Sequence, residues 1–167
     1  DRSGLDNNVI TSEEAVSTEI YAPYGSRVSF NLPDGTTGML NSGSSLTYTL
    51  PFSSNRNITL HGEGWFDVAH DAQHPFTINS GSSSVVVLGT SFNMSAYPSE
   101  NYLEVVLAEG KVRFSDEQID REIIMDPSER LVYRNGNIEE SVVDATKYNS
   151  WKDGKLVFRG DPMEEVA

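Results

Sequence analysis

The chain has no cysteine, which excludes disulfides, thiolate metal sites and cysteine nucleophiles. It has no apolar run near the ~20 residues that a membrane-spanning helix needs. Basic residues are scarce: 12 Lys and Arg stand against 25 Asp and Glu, for a formal net charge of −13. That balance argues against nucleic acid or an anionic membrane surface as partner, because both require clustered Lys and Arg. Two sequence signatures of chemistry are also missing. There is neither a Gly-x-Ser-x-Gly nucleophile elbow nor a phosphate-binding glycine loop. The chain opens on Asp1 with no signal peptide, so it reads as a piece excised from something larger.

What is present is a globular composition, 37% hydrophobic and 22% charged over 167 residues, enough for one domain with a real core. The organising stretch is 60–96. It holds three short apolar runs, at 65–68, 76–78 and 85–88, and a fourth, alternating one at 92–96. β-branched and aromatic residues fill them, and Gly, Pro, Asp or Ser bounds each. None is long enough for an ordinary helix. Val85-Val86-Val87-Leu88 is apolar throughout, which predicts a strand covered on both faces. The next residue, Gly89, suits a bend or a close backbone approach. Trp65, Phe66, Val68, Val85, Val87, Leu88 and Phe92 are the expected core.

Other strands are expected near 18–21, at 27–32 with Val28, Phe30 and Leu32 on one face, around Met39 and Leu40, and at Leu46, Tyr48 and Leu50. Further strands follow at 103–107, 111–114, 123–125, 131–133 and 138–143. Pro33-Asp34-Gly35 is a turn, because Pro fixes φ, Asp bonds its own backbone and Gly accepts positive φ. Ala108-Glu109-Gly110 suggests a hairpin between its flanking strands. The fold expected is all-β, with one or two short helices near the C-terminus. Turn-like glycines at 35, 62, 89, 110 and 136 hint at solenoid-like coils, and a twisted stack of sheets fits as well. Four segments are expected: a lead-in at 1–18, a β domain at 19–143, a short helix with a linking strand at 144–160, and the start of a further domain at 161–167. Asp144 would cap a helix over 145–152 ended by Gly154, followed by a strand at 155–158. Asp161-Pro162 with Glu164 reads as the capped start of another helix.

Three groups of residues invite a chemical reading. His61, His70 and His74, with Glu63, Asp67 and Asp71 among them, could ligate a metal. His70 and His74 sit in a segment ending at Pro75 that reads as a hairpin loop without a rigid frame, so no metal and no other cofactor is expected. Glu63 and Asp67, on one strand, would lie about 13 Å apart, beyond the ~5–9.5 Å of a glycosidase carboxylate pair, and no catalytic residue is expected. Trp65, Tyr48, Tyr97 and Tyr102 could form an aromatic platform for sugars, although core packing accounts for them more simply.

The order of motifs over more than 120 residues carries a resemblance. Gly25-Ser26-Arg27, Leu32-Pro33-Asp34-Gly35, Leu40-Asn41-Ser42, the run from Arg56 through Gly62-Glu63-Gly64-Trp65-Phe66-Asp67-Val68, Val87-Leu88-Gly89-Thr90-Ser91-Phe92-Asn93 and Glu109-Gly110-Lys111-Val112 together resemble the FecR-type anti-sigma regulators common in gut Bacteroidetes. Gly64 stands where that family usually has a residue such as Ala, and Ser128 where it usually has Gly. The resemblance implies a periplasmic domain tethered to the inner membrane, with no enzymatic activity and no direct membrane contact by this domain. It further implies signal relay from the N-terminal signalling domain of a TonB-dependent outer-membrane receptor to an extracytoplasmic-function sigma factor. The sigma factor would be held by a cytoplasmic segment outside this chain. Weak partner-binding candidates lie at the domain junction: Trp151, Leu156, Phe158 and Met163. The alternative function is a carbohydrate-binding β module.

Overall fold

The computed structural model describes residues 15–52 and 56–153. Residues 1–14 of the lead-in expected over 1–18, the strand at 155–158, the helix starting at Asp161 and the candidates Leu156, Phe158 and Met163 lie outside the described residues, while residues 16–18 of that lead-in already belong to the first strand. Among the described residues thirteen strands run in chain order: β1 Val16–Ala22, β2 Val28–Asn31, β3 Thr37–Leu40, β4 Ser44–Leu50, β5 Arg56–Asp67, β6 Phe76–Ser80, β7 Ser83–Val87, β8 Ser91–Ala96, β9 Leu103–Glu109, β10 Val112–Asp116, β11 Ile123–Met125, β12 Glu129–Arg134 and β13 Asn137–Val142. A one-turn helix, α1 Thr146–Asn149, and a 3-10 turn, Ser150–Asp153, follow. The fold is all-β, as expected from the short alternating segments.

The spine is β5. Its first half pairs with β4 on one edge, Leu46 opposite Leu60, and with β6 on the other. Its second half pairs with β3, Met39 opposite Trp65, and with β8, Phe66 opposite Phe92. The single strand therefore serves two half-sheets, one ordered β1-β4-β5-β6-β7-β10-β11 and the other β2-β3-β5-β8-β9-β12-β13. The sheet curls at Gly62, whose φ is +109°, and the halves close on one core. A Cβ at Gly62 would stand 2.2 Å from Ser44 Oγ and 2.8 Å from Ser44 Cα, so only glycine fits the curl. Within the core, Phe66 stacks on Phe92 at 5.4 Å and tilts against Phe30 at 5.7 Å. Phe114 of β10 meets Tyr133 of β12 at 5.4 Å, which ties one half to the other.

Several expectations need correction. The Ala108-Glu109-Gly110 turn is not a hairpin. β9 pairs with β8 and β12, β10 with β7 and β11, so the turn carries the chain from one half-sheet to the other. The segment holding His70 and His74 is not a hairpin loop either. β5 and β6 are parallel, and residues 60–75 are their crossover. All other pairings among the described residues are antiparallel, which builds a twisted sheet rather than coils. Leu88 lies past the end of β7 and is 43% exposed, and Val86 is half-buried, so 85–88 is covered on one face. Trp65 is half-buried on the outer face of β5, while Phe66, Val68, Val85, Val87 and Phe92 are core. The helix is shorter than expected, starting at Thr146. Asp144 is not its cap: that position is held by Ala145 without a side-chain cap bond, and Asp144 Oδ1 accepts from the Thr146 N–H at 3.1 Å just ahead of it.

Candidate functional site

Along β5 and β8, alternation sends Phe66, Phe92 and Met94 inward and Glu63, Trp65 and Asn93 to the outer face of the second half-sheet. A polar residue on an outer face is ordinarily wet. Here Glu63 is 4% and Asn93 1% exposed, because the segment after β13 folds back over them. That segment presents Trp151, itself 6% exposed.

The contact is a closed ring of hydrogen bonds. The Trp151 indole N–H donates to Asn93 Oδ1 at 2.9 Å. Asn93 Nδ2 donates to Glu63 Oε2 at 2.8 Å, and Asn41 Nδ2 donates to Glu63 Oε1 at 2.9 Å. Arg27 Nε donates to Asn41 Oδ1 at 3.4 Å, and its Nη1 returns to the Trp151 carbonyl at 2.9 Å. Cations flank the ring. The Arg27 guanidinium lies 5.7 Å from the Trp151 ring centre, and Lys152 Nζ lies 4.9 Å above Trp65. Further along, Arg130 sits 5.8 Å from the Tyr148 ring and donates to the buried Glu104 at 2.5 Å. Burial lowers the Arg130 pKa, but the Glu104 carboxylate outweighs it and holds the guanidinium above its ordinary value. Both Glu63 oxygens accept from amide donors inside a buried ring, so it serves as an anchor with no proton transfer asked of it. The arrangement holds the indole-bearing segment against the sheet.

Of the junction candidates, Trp151 is thus placed, folded against the domain. The histidines are not brought together. His74 Nδ1 meets Asp71 at 2.9 Å, His70 packs beside Gly89, and His61 is exposed opposite Ser45 on β4. Among the described residues no three His, Asp, Glu or Cys converge as a metal site. Asp67 accepts from Ser91, apart from Glu63 and Asp71. The four aromatic residues also separate. Tyr48 packs on Phe52, Trp65 lies under Lys152, and Tyr97 and Tyr102 line one cleft of about 470 Å³. Sequence reasoning missed Asn41, Asn93 and Arg27. The available signal was Asn93 itself, an amide in an otherwise buried strand.

Fold and site together define a β-rich domain whose outer face is covered by its own segment 146–153. The chain belongs to the FecR protein family, which it matches over residues 17–113. Two crystal structures of a candidate anti-sigma factor from Parabacteroides distasonis ATCC 8503 superpose on it with TM-scores of 0.81 and 0.80, each at 32% identity. The matches cover 90% and 89% of this chain and 71% of the solved chain in both cases. No curated protein matches. The family assignment supports a role as a regulator.

Proposed function

We propose that the domain is the periplasmic signal-relay part of an inner-membrane anti-sigma regulator. It couples the N-terminal signalling domain of a TonB-dependent outer-membrane receptor to an extracytoplasmic-function sigma factor. The observation that carries this reading is the clasped Trp151. A segment held through one side chain, by the indole N–H, one backbone carbonyl and cation–π contacts, is a local unit that a partner can compete for without opening the sheet. Family membership supplies the regulatory context. In this reading the receptor contact biases the clasp, and the segment after Asp153 transmits the change.

Titration calorimetry with a cognate receptor signalling domain tests it, using residues 1–167 and the full periplasmic region of the regulator in parallel. The full region is expected to bind, and residues 1–167 to bind weakly or not at all. Equal, tight binding by both would place the receiver inside this domain and refute the relay. Absence of binding by the full region would remove the receptor from the scheme.

A further inference from the structure

The cleft lined by Tyr97 and Tyr102 is left without a role by the relay. It lies at one mouth of the curled sheet, where the 80–83 turn, the 97–102 loop, Gln118 and the 134–137 turn converge. A cleft of about 470 Å³ is within the ~300–1,000 Å³ that small-ligand sites occupy.

The cleft is prepared rather than slack. Below it, the buried Asp116 carboxylate accepts from Ser82 Oγ at 2.8 Å, Ser83 Oγ at 2.6 Å, the Gln118 N–H at 2.8 Å and Tyr133 Oη at 2.8 Å. One carboxylate thus fixes three of the converging segments relative to one another. On another side, Tyr97 Oη donates to the Ser42 carbonyl at 3.0 Å, which sets the orientation of that ring. The Arg134 guanidinium lies 5.2 Å from the Tyr102 ring centre and holds the second. Fixed rings and a fixed floor are what a binding site needs to avoid ordering costs on association.

The lining chemistry selects the ligand. Asn101, Gln118 and Asn135 are exposed amides, each offering donors and an acceptor together, and Ser82 adds a hydroxyl. No lysine or arginine lines the cleft among the described residues, and Glu100 does. An anionic ligand would surrender its hydration beside Glu100, where the only basic side chain in the lining among the described residues is His61 and the nearby Arg134 is engaged on the Tyr102 ring. Two tyrosines among exposed amides suit a molecule whose flat apolar C–H surfaces alternate with hydroxyls that both donate and accept. We propose that this cleft binds a neutral oligosaccharide, giving the regulator a direct sugar contact independent of any receptor. The inference does not rest on the relay reading, because its residues are separate from the Trp151 ring.

The test is calorimetry and two-dimensional NMR on the isolated domain with maltotriose, cellotriose and mannotriose as neutral probes, and trigalacturonate and trilysine as charged ones. Saturable binding of at least one neutral trisaccharide at millimolar concentration is expected, with amide shifts concentrated at 80–83, 97–102 and 134–137. Tyr102→Ala and Asn101→Ala should each weaken it by roughly 10-fold, about 1.4 kcal/mol, with unchanged circular dichroism. Failure of all three neutral probes would overturn the proposal. So would equal binding of trigalacturonate, binding of trilysine alone, or affinity indifferent to both variants.

Discussion

Arg56 places a guanidinium at 1% exposure and surrounds it with oxygen. Nε donates to the His74 carbonyl at 2.6 Å. Nη1 donates to Asp34 Oδ2 at 2.9 Å and to the Ala69 carbonyl at 2.7 Å, and Nη2 reaches the Asp71 carbonyl at 3.2 Å. One side chain thereby closes the β5–β6 crossover and pins the β2–β3 turn. Arg56→Met keeps much of the volume but leaves Asp34 without its counter-charge, held among the described residues only by Thr36, and removes the donors to the carbonyls of Ala69, Asp71, His74 and Leu88. It should cost about 3–5 kcal/mol in urea denaturation, the range for removing one partner of a buried pair. Ser128 poses the opposite case. Its φ is +72°, a region that costs a non-glycine residue roughly 1–2 kcal/mol. Glycine there loses roughly 0.4–1 kcal/mol to the greater freedom of the unfolded chain. Ser128→Gly should therefore stabilise by about 0.5–1 kcal/mol, seen as a higher urea midpoint at unchanged slope. Asp116 brings pH into the account. Burial pushes its carboxyl up, but the donors from Ser83, Gln118, Ser82 and Tyr133 outweigh burial and hold it below the ordinary value. A depressed folded pKa contributes stability above the unfolded pKa, and that contribution disappears as pH falls through the folded pKa. Tyr133 is pushed up by its burial and by Asp116, so its contribution is present below the unfolded pKa and lost as pH rises through the folded one. Asp116→Asn should be less stable at neutral pH, and the gap from the parent should narrow as pH falls through the Asp116 titration. A constant gap across that range would mean the carboxylate's charge contributes nothing.

At the scale of elements, the strands themselves were legible because period-2 alternation records which face is buried. Val28, Phe30 and Leu32, or Leu46, Tyr48 and Leu50, needed no more than that. Pairing was not legible. Glu109-Gly110 has the composition of a hairpin turn, yet Gly110 is needed because a Cβ would meet the Gly89 carbonyl at 2.8 Å as the chain changes half-sheets. Local turn chemistry says that the chain reverses, not which strand it then joins. Gly62-Glu63-Gly64 likewise reads as a break, although β5 continues through it with only a curl at Gly62. The docking site was half legible. Trp151 stood out at the junction, but its partners come from β5, β8 and the β3–β4 connection, joined only by the fold. Gly89 was read correctly as a close approach, since a Cβ there would stand 2.7 Å from His70 Nδ1. The clasp carries its own prediction. Trp151→Phe keeps an aromatic ring but removes the indole donor to Asn93, which should cost about 1–3 kcal/mol. Because the element is peripheral, the loss should show as faster amide hydrogen exchange over 146–153, with exchange in β5 and β8 nearly unchanged. Equal acceleration throughout the sheet would mean that the segment is part of the global folding unit and no clasp.

For the whole molecule, the deciding feature is that two half-sheets share one strand and one core. A two-layer protein joined only by loops could lose one layer at a time. Here β5 contributes Ile58 and Leu60 to the first half and Phe66 to the second, and the Phe114–Tyr133 contact bridges the far ends. Neither half keeps a buried face if the other opens, so unfolding of the sheet should be all-or-none. Gly62→Ala probes this directly, since it strains the one residue where the shared strand curls. Alanine at φ +109° incurs roughly 1–2 kcal/mol, and its Cβ would drive Ser44 from the Glu63 N–H, to which Ser44 Oγ is bonded at 2.8 Å. The total should reach at least about 2 kcal/mol with repacking included. Its signature is more telling than its size. Far-ultraviolet circular dichroism, which reports strands in both halves, and near-ultraviolet signals from the aromatic core should shift to a lower urea midpoint together and remain superimposable. A split transition in Gly62→Ala, with one half-sheet melting first, would show that β5 is a hinge between two independent layers. In that case the signal would more naturally travel through the curl at Gly62 than through the clasp at Trp151.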